Sequence, residues 1–332
     1  MKVLVVAPNW IGDVLMAQPL LRFLKQDPSV ELSVLASQWV APVLEVMPQV
    51  DVVIGSELRH GALQWGERRR IARLVRSAGF QRAFVLPNSF KSALIPWLAR
   101  VPERIGYASE ARGGLLTCAL PKPGRHVSMS EAYLRLAGAA EALPSPPELS
   151  VPPARSAEAR EQFGLSAASE VVALCPGAEF GPAKQWPAHH FAQLADLIHA
   201  SDPGQELVIL GSTADRLIAG QIAAASKAPV RVLAGHTSLA EAIALISGAR
   251  AVVSNDSGLM HIAAALGRPQ VALFGSTDPR HTPPRSARAQ VLWLHLECSP
   301  CFKRVCPLGH LNCLNGIEPA SVKAALEIAA AS

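Results

Sequence analysis

The sequence predicts an α/β fold built from two doubly wound, parallel-sheet domains. Three observations predict it. Short β-branched runs alternate with longer helical patterns along the whole chain. Most of those runs are continuously apolar, as strands are when helices cover both faces of a sheet. A proline-rich stretch at 144–153, PSPPELSVPP, interrupts the pattern near its middle, where neither helix nor central strand can form.

In chain order, the first half carries strand runs at 2–7, 31–36, 50–54 and 82–87. The second half carries them at 170–175, 206–211, 230–234, 251–254 and 270–275. Strand–helix alternation on both sides of the linker implies two doubly wound units. Pro19 is expected to kink the helix after the first strand. The chain has 332 residues, enough for two cores of ordinary size, and the expected domains are 1–150 and 151–332. Such folds bind ligands at the carboxyl ends of their strands.

Composition narrows the function classes. Hydrophobic residues make up 50% and charged residues 17%, a globular and not a disordered balance. Aromatics are 5%, which disfavours base stacking on exposed rings, and no nucleic-acid partner is expected. No stretch offers the roughly 20 uninterrupted apolar residues of a membrane span. The opening MKVLVVAPNWIGD is too short and lacks the cleavage pattern of a signal peptide. The expected location is cytoplasmic. The net charge of +5 resides wholly in residues 1–150, which hold 17 Lys and Arg against 12 Asp and Glu. A basic half suits a phosphate-rich partner, or is a solvated surface.

The loops at strand ends carry the candidate chemistry. After the first strand, Asp13 stands at a helix start, either as an N-cap or as a carboxylate able to take a proton from a hydroxyl. A helix N-terminus favours its ionised form and so weakens it as a base. After the fourth run, Asn88, Ser89 and Lys91 suit an anionic or hydroxylated ligand, or a helix cap. Downstream, 104–107 and 112–114 add cations and flexible backbone. In the second half, CPGAEFGPAKQWP at 175–187 sets glycines before Lys184, a point charge for phosphate. Trp186 is expected to pack at the start of the next helix. The most informative loop is SNDSGLMH at 254–261. The helix it opens offers amides at Ser257 and Gly258 to an anion such as a diphosphate. Asp256 is expected to cap that helix or order its amides. His261, one turn in, either reaches the same site or is structural. The loop FGSTDP at 274–279 is another small polar turn at a strand end.

Absences narrow the choice further. No G-x-G-x-x-G follows the first strand, which disfavours a dehydrogenase or an epimerase with a dinucleotide fingerprint. No Asp-x-Asp occurs, so amides and Lys184 stabilising a leaving diphosphate without metal is the more economical site. Six cysteines occur: Cys118, Cys175, Cys298, Cys301, Cys306 and Cys313. The last four have a spacing compatible with a metal site, with reversible disulfides or with packed free thiols. It matches no standard metal motif, and no metal ligand is assigned.

Gly12-Asp13, the 175–187 loop, the 254–261 loop and the 298–313 cysteine stretch together resemble the ADP-heptose glycosyltransferases, glycosyltransferase family 9. The resemblance runs over nearly the whole chain. It implies a GT-B-like fold, two Rossmann-like domains facing across a cleft that closes over substrate. It implies an inverting enzyme that takes heptose from ADP-L-glycero-D-manno-heptose. The implied acceptor is the first heptose of the lipopolysaccharide inner core, a phosphorylated heptosyl-Kdo2-lipid A. Residues 1–150 would bind acceptor and 151–332 donor, with peripheral contact at the cytoplasmic face of the inner membrane. No cofactor is implied. Asp13 matches the family's general base, and Lys184, Asp256, Ser257, Gly258 and His261 its diphosphate-binding positions. Asn88, Ser89 and Lys91 are expected acceptor contacts. A family member with a different acceptor, or a non-catalytic nucleotide-sugar-binding protein, would share these donor motifs.

Overall fold

The computed structural model describes residues 1–58, 62–124 and 127–331. The chain divides into two compact units, Met1–Pro147 and Glu148–Ser332, and the break falls inside the proline-rich stretch.

The first unit runs β1 (Lys2–Val6), α1 (Ile11–Met16), α2 (Gln18–Leu24), β2 (Glu31–Ser37), α3 (Ala41–Glu45), β3 (Val52–Ser56) and α4 (Trp65–Ala78). It continues through β4 (Arg82–Val85), α5 (Phe90–Leu98), β5 (Glu103–Tyr107), β6 (Cys118–Leu120) and α6 (Met129–Leu136). Its six strands are parallel in the order β3-β2-β1-β4-β5-β6. β1 lies in the middle, with Val5 in register with Val34 on one side and Phe84 on the other. A central strand is covered on both faces, which is why Val3, Leu4 and Val5 are all apolar and all buried. Leu4, Leu35, Ile71, Val75, Val85 and Ile95 belong to one core cluster.

The second unit runs α7 (Pro153–Gln162), β7 (Val171–Cys175), α8 (Ala188–Ser201), β8 (Glu206–Ile209), α9 (Arg216–Ala225), β9 (Val230–Val232) and α10 (Leu239–Ser247). It continues through β10 (Ala251–Asn255), α11 (Gly258–Ala265), β11 (Gln270–Leu273), β12 (Ala289–Leu292), α12 (Asn312–Asn315) and α13 (Pro319–Ala331). These strands are also parallel, in the order β12-β11-β10-β7-β8-β9. The core gathers on Trp186, Phe191 and Leu194 with Leu314, Val322 and Leu326.

Counted from its own first strand, each sheet has the order 3-2-1-4-5-6. Such a sheet reverses direction between its first and fourth strands, and the crevice outside their carboxyl ends is the usual ligand position. Here those points are β1/β4 and β7/β10.

Three details differ from the sequence reading. Strands β5, β6 and β12 were not expected. Pro19 does not kink one helix; α1 ends and α2 begins at Ala17, with Pro19 in the first turn of α2. A proline lacks the N–H an interior position needs but fits a helix start. The same tolerance lets Pro153, read as linker, open α7.

Candidate active site

At the first switch point the chain leaves β1 and enters α1. The N-cap is Trp10, so Asp13 lies inside the first turn and is not the cap. Asp13 lines a cavity of about 430 Å³ together with Asn88, Ser89 and Lys91 from the β4–α5 loop. The structure thus brings these four expected residues to one place within the first unit. Ser89 is the N-cap of α5, yet its side chain makes no capping bond. Tyr133 of α6 lines the same cavity. Burial raises its hydroxyl well above the usual phenol value, and the charge of Asp13 adds to the shift. Tyr133 was missed in the sequence. The one local signal is the Ser128–Glu131 capping box, which starts α6 and so directs Tyr133 inward.

Arg112 holds the β4–α5 loop in shape. It is fully buried, and its guanidinium donates to the carbonyls of Tyr107 (2.9 Å), Ser89 (3.3 Å) and Pro87 and to Ser92 Oγ (3.0 Å). The sequence reading set Arg112 among flexible loop cations, and Arg104 with it. Instead Arg104 sits in β5, donating to Leu115 O at 2.7 Å, while Arg112 serves the scaffold. Gly106 makes room for that arrangement, since a Cβ there would lie 3.1 Å from Val85 O and 3.3 Å from Arg112 Nη2.

At the second switch point the loops after β7, β10 and β11 converge. Lys184 Nζ donates to Asp256 Oδ2 at 2.5 Å, and Thr277 Oγ1 donates to the same oxygen at 2.5 Å. The pair is almost wholly buried, with Lys184 14% and Asp256 5% exposed at the side chain. Buried pairs contribute little net stability, but losing one partner costs about 3–5 kcal/mol, so the network fixes position above all. Asp256 therefore does not cap α11, as one expectation had it. The N-cap is Ser257, which makes no side-chain capping bond, and its hydroxyl lies 3.1 Å from Ser254 Oγ. Asn255, fully buried, accepts from Trp186 N at 3.0 Å and donates to Pro176 O at 2.7 Å, clamping the β7 loop to β10. Trp186 packs as expected, donating to Ile317 O at 2.9 Å. Thr277 and Asn255 lay inside loops singled out from the sequence, but nothing local marked them as partners of Asp256 and Trp186.

His261 is buried behind this cluster. Burial lowers its pKa to about 4, with Lys184 pushing the same way and Asp256 opposing, so the imidazole is neutral near pH 7. The glycines ahead of Lys184 serve the fold. A Cβ on Gly177 would lie 2.6 Å from the Asp215 carboxylate, and one on Gly181, at φ +144°, 2.6 Å from Arg304 O. They make room for protein atoms, where the sequence reading had them admit a ligand.

The cysteine stretch rests on the same loops. Phe302 N donates to Ser276 O at 2.7 Å, Ser299 Oγ to Gly275 O at 2.6 Å, and Ala183 N to Arg304 O at 3.0 Å. Cys298, Cys301, Cys306 and Cys313 are free thiols. Among the described residues, no three His, Cys, Asp or Glu side chains are grouped so as to hold a metal ion. The backbone amides of Leu311, Leu308, Gly309 and His310 hold the Cys306 thiol below its ordinary value, while burial raises that of Cys313.

Known proteins are similar to this chain over most of its length. The model of glycosyltransferase family 9 (heptosyltransferase) matches residues 68–312. Lipopolysaccharide heptosyltransferase 2 of Salmonella typhimurium is 44% identical over 310 residues, covering 89% of this chain and 88% of that protein. Lipooligosaccharide heptosyltransferase 2 of Haemophilus influenzae is 39% identical, with 89% of each covered. Among solved structures, E. coli ADP-heptose LPS heptosyltransferase II superposes with a TM-score of 0.87 at 39% identity, over 100% of this chain and 99% of that one. The two sheets and their helices are those of a GT-B-like fold.

Proposed function

The chain belongs to glycosyltransferase family 9, the heptosyltransferases, and from that premise we propose that it moves heptose from ADP-L-glycero-D-manno-heptose onto the first heptose of heptosyl-Kdo2-lipid A. It is a glycosyltransferase, and the identity to heptosyltransferase 2 proteins supports this acceptor over those of other family members. One observation supports the reading most: each unit gathers polar groups of complementary kind at its own switch point. The first unit holds a carboxylate in a polar cavity, and the second a buried cation among small polar loops.

In this reading Asp13 accepts the proton of an acceptor heptose hydroxyl. The freed oxygen forms the new bond to the donor's anomeric carbon as the bond to ADP breaks, with inversion. Asn88, Ser89 and Lys91 orient the acceptor. Lys184 and the amides at Ser257 and Gly258 stabilise the departing diphosphate. Asp256 aims Lys184, and neutral His261 backs the cluster. The first unit thus takes acceptor and the second donor. No helix among the described residues is long and apolar enough to cross a membrane. In this reading the lipid acceptor is met by peripheral contact with the cytoplasmic face of the inner membrane. The test is incubation with ADP-heptose and defined truncated lipid A acceptors, followed by mass analysis. The expected product gains one heptose only when the acceptor already carries one. Addition to a Kdo2-lipid A lacking heptose would assign a different acceptor, and no addition to any acceptor would remove the transferase reading.

A further inference from the structure

The most basic helix of the chain reaches the cavity above only through Arg68, which lines it and donates to Lys91 O at 2.7 Å; its other arginines have no part in that chemistry. α4, WGERRRIARLVRSA, has five arginines and one glutamate. Arg68, Ile71, Ala72 and Val75 form its buried side. At 3.6 residues per turn, Trp65, Arg69, Arg73 and Arg76 follow one another at i, i+4, i+8 and i+11 along an exposed stripe that flanks the buried side. Glu67 is occupied by Arg70, with Nη2 to Oε1 at 2.6 Å. Among the described residues, Arg69, Arg73 and Arg76 form no ion pair. The Arg69 guanidinium lies over the Trp65 ring, 5.1 Å from its centroid.

The neighbouring helix extends the stripe. Arg76 donates to Leu98 O at 3.3 Å and Ala99 O at 3.4 Å, which sets the end of α5 beside it. There Trp97 is 42% exposed and Arg100 follows, exposed and in no ion pair among the described residues. Two exposed indoles among uncompensated arginines form a face that repels itself in water. An exposed helix of ordinary proteins pairs its charges at i,i+3 or i,i+4, as Arg70 alone does here.

We infer that the α4/α5 face formed by Trp65, Arg69, Arg73, Arg76, Trp97 and Arg100 docks the protein on a bilayer surface rich in anionic lipid headgroups. The inference rests on the reading of a lipid-borne acceptor and names the surface that meets the membrane. Charge complementarity selects the occupant: arginines attract acidic headgroups, and indoles settle at the headgroup level. The apolar side of α4 is spent on the sheet, so the helix lies on the bilayer without inserting, and high salt releases it.

The test is co-sedimentation of the full chain with phosphatidylglycerol-containing and with pure phosphatidylcholine vesicles. Each basic residue near an anionic surface is worth roughly fivefold in binding. Arg69→Glu/Arg73→Glu should therefore weaken binding to phosphatidylglycerol vesicles at least tenfold, and Trp65→Ala less. Arg155→Glu/Lys227→Glu removes the same charge from exposed positions of the second unit and should leave binding within about threefold of the unmodified protein. ADP binding by calorimetry and turnover on detergent-dispersed acceptor should be unchanged in all variants, which separates this inference from the transferase reading. Three results would overturn it: no preference for anionic vesicles, equal loss in both double variants, or tighter retention on duplex DNA than on vesicles.

Discussion

His261 shows how a single buried residue ties stability to pH. Its imidazole lies behind the Lys184–Asp256 pair and is neutral because burial disfavours its charged form. Its folded pKa of about 4 is below the ordinary 6.5, so between those values the unfolded chain binds a proton that the folded chain does not. The stability it contributes is complete above about pH 6.5 and is lost as pH falls towards 4, a swing of roughly 3 kcal/mol. Replacing it by glutamine removes the titration. Chemical denaturation at a series of pH values should show the native protein losing ground to His261→Gln below pH 6.5. Parallel pH curves for the two proteins would show that the imidazole is already charged, or titrates alike in both states. Residues of this kind were legible in the sequence only in part. His261 and Asp256 stood in a recognisable loop, but the partners of Asp256, Lys184 and Thr277, lie in other loops, and only folding brings them together.

At the scale of elements, most interior strands were legible, and so were the β-branched edge strands β3 and β9. β7, the Val3–Val6 part of β1 and the Ala251–Val253 part of β10 are continuous apolar runs because they are buried within the protein. β6 and β12 are sheet edges, partly exposed and four residues long or fewer, so their composition resembles a loop. β5 contains Gly106 and two charged residues, and it reads as strand only once Arg112 and Val85 are seen to crowd that glycine. Arg112 is the clearest case of a residue whose role the sequence hid. Its charge suggested a ligand, while its hydrogen bonds hold the β4–α5 loop that presents Asn88, Ser89 and Lys91. Arg112→Met would strip buried carbonyls of their donor and should destabilise the protein by about 3 kcal/mol, seen as a lower urea midpoint. Arg112→Lys should recover little, because one ammonium cannot serve the planar fan of acceptors. An unchanged midpoint would return Arg112 to the cavity as a ligand-facing cation.

At the scale of the whole molecule, two sheets of the same strand order present two crevices, and the loops at each differ in charge type. The basic excess of residues 1–150 has two addresses: Lys91 and Arg68 at the cavity, and the exposed arginine face of α4 and α5. The net charge alone could not divide these, since it records no direction. Asp13 precedes the 68–312 stretch matched by the family model, so its role rests on the cavity it lines and on the resemblance around Gly12-Asp13. Asp13→Asn keeps the size of the side chain and removes its ability to accept a proton. The decisive measurement is the single-turnover rate of this variant with ADP-heptose and heptosyl-Kdo2-lipid A, alongside its affinity for ADP. A carboxylate base in the first unit and a diphosphate grip in the second require the rate to fall at least a hundredfold, on the order of general-base contributions, with ADP affinity unchanged. A rate within a few fold of the native protein would contradict the assignment of Asp13, and a parallel loss of ADP affinity would contradict the division of labour between the two units.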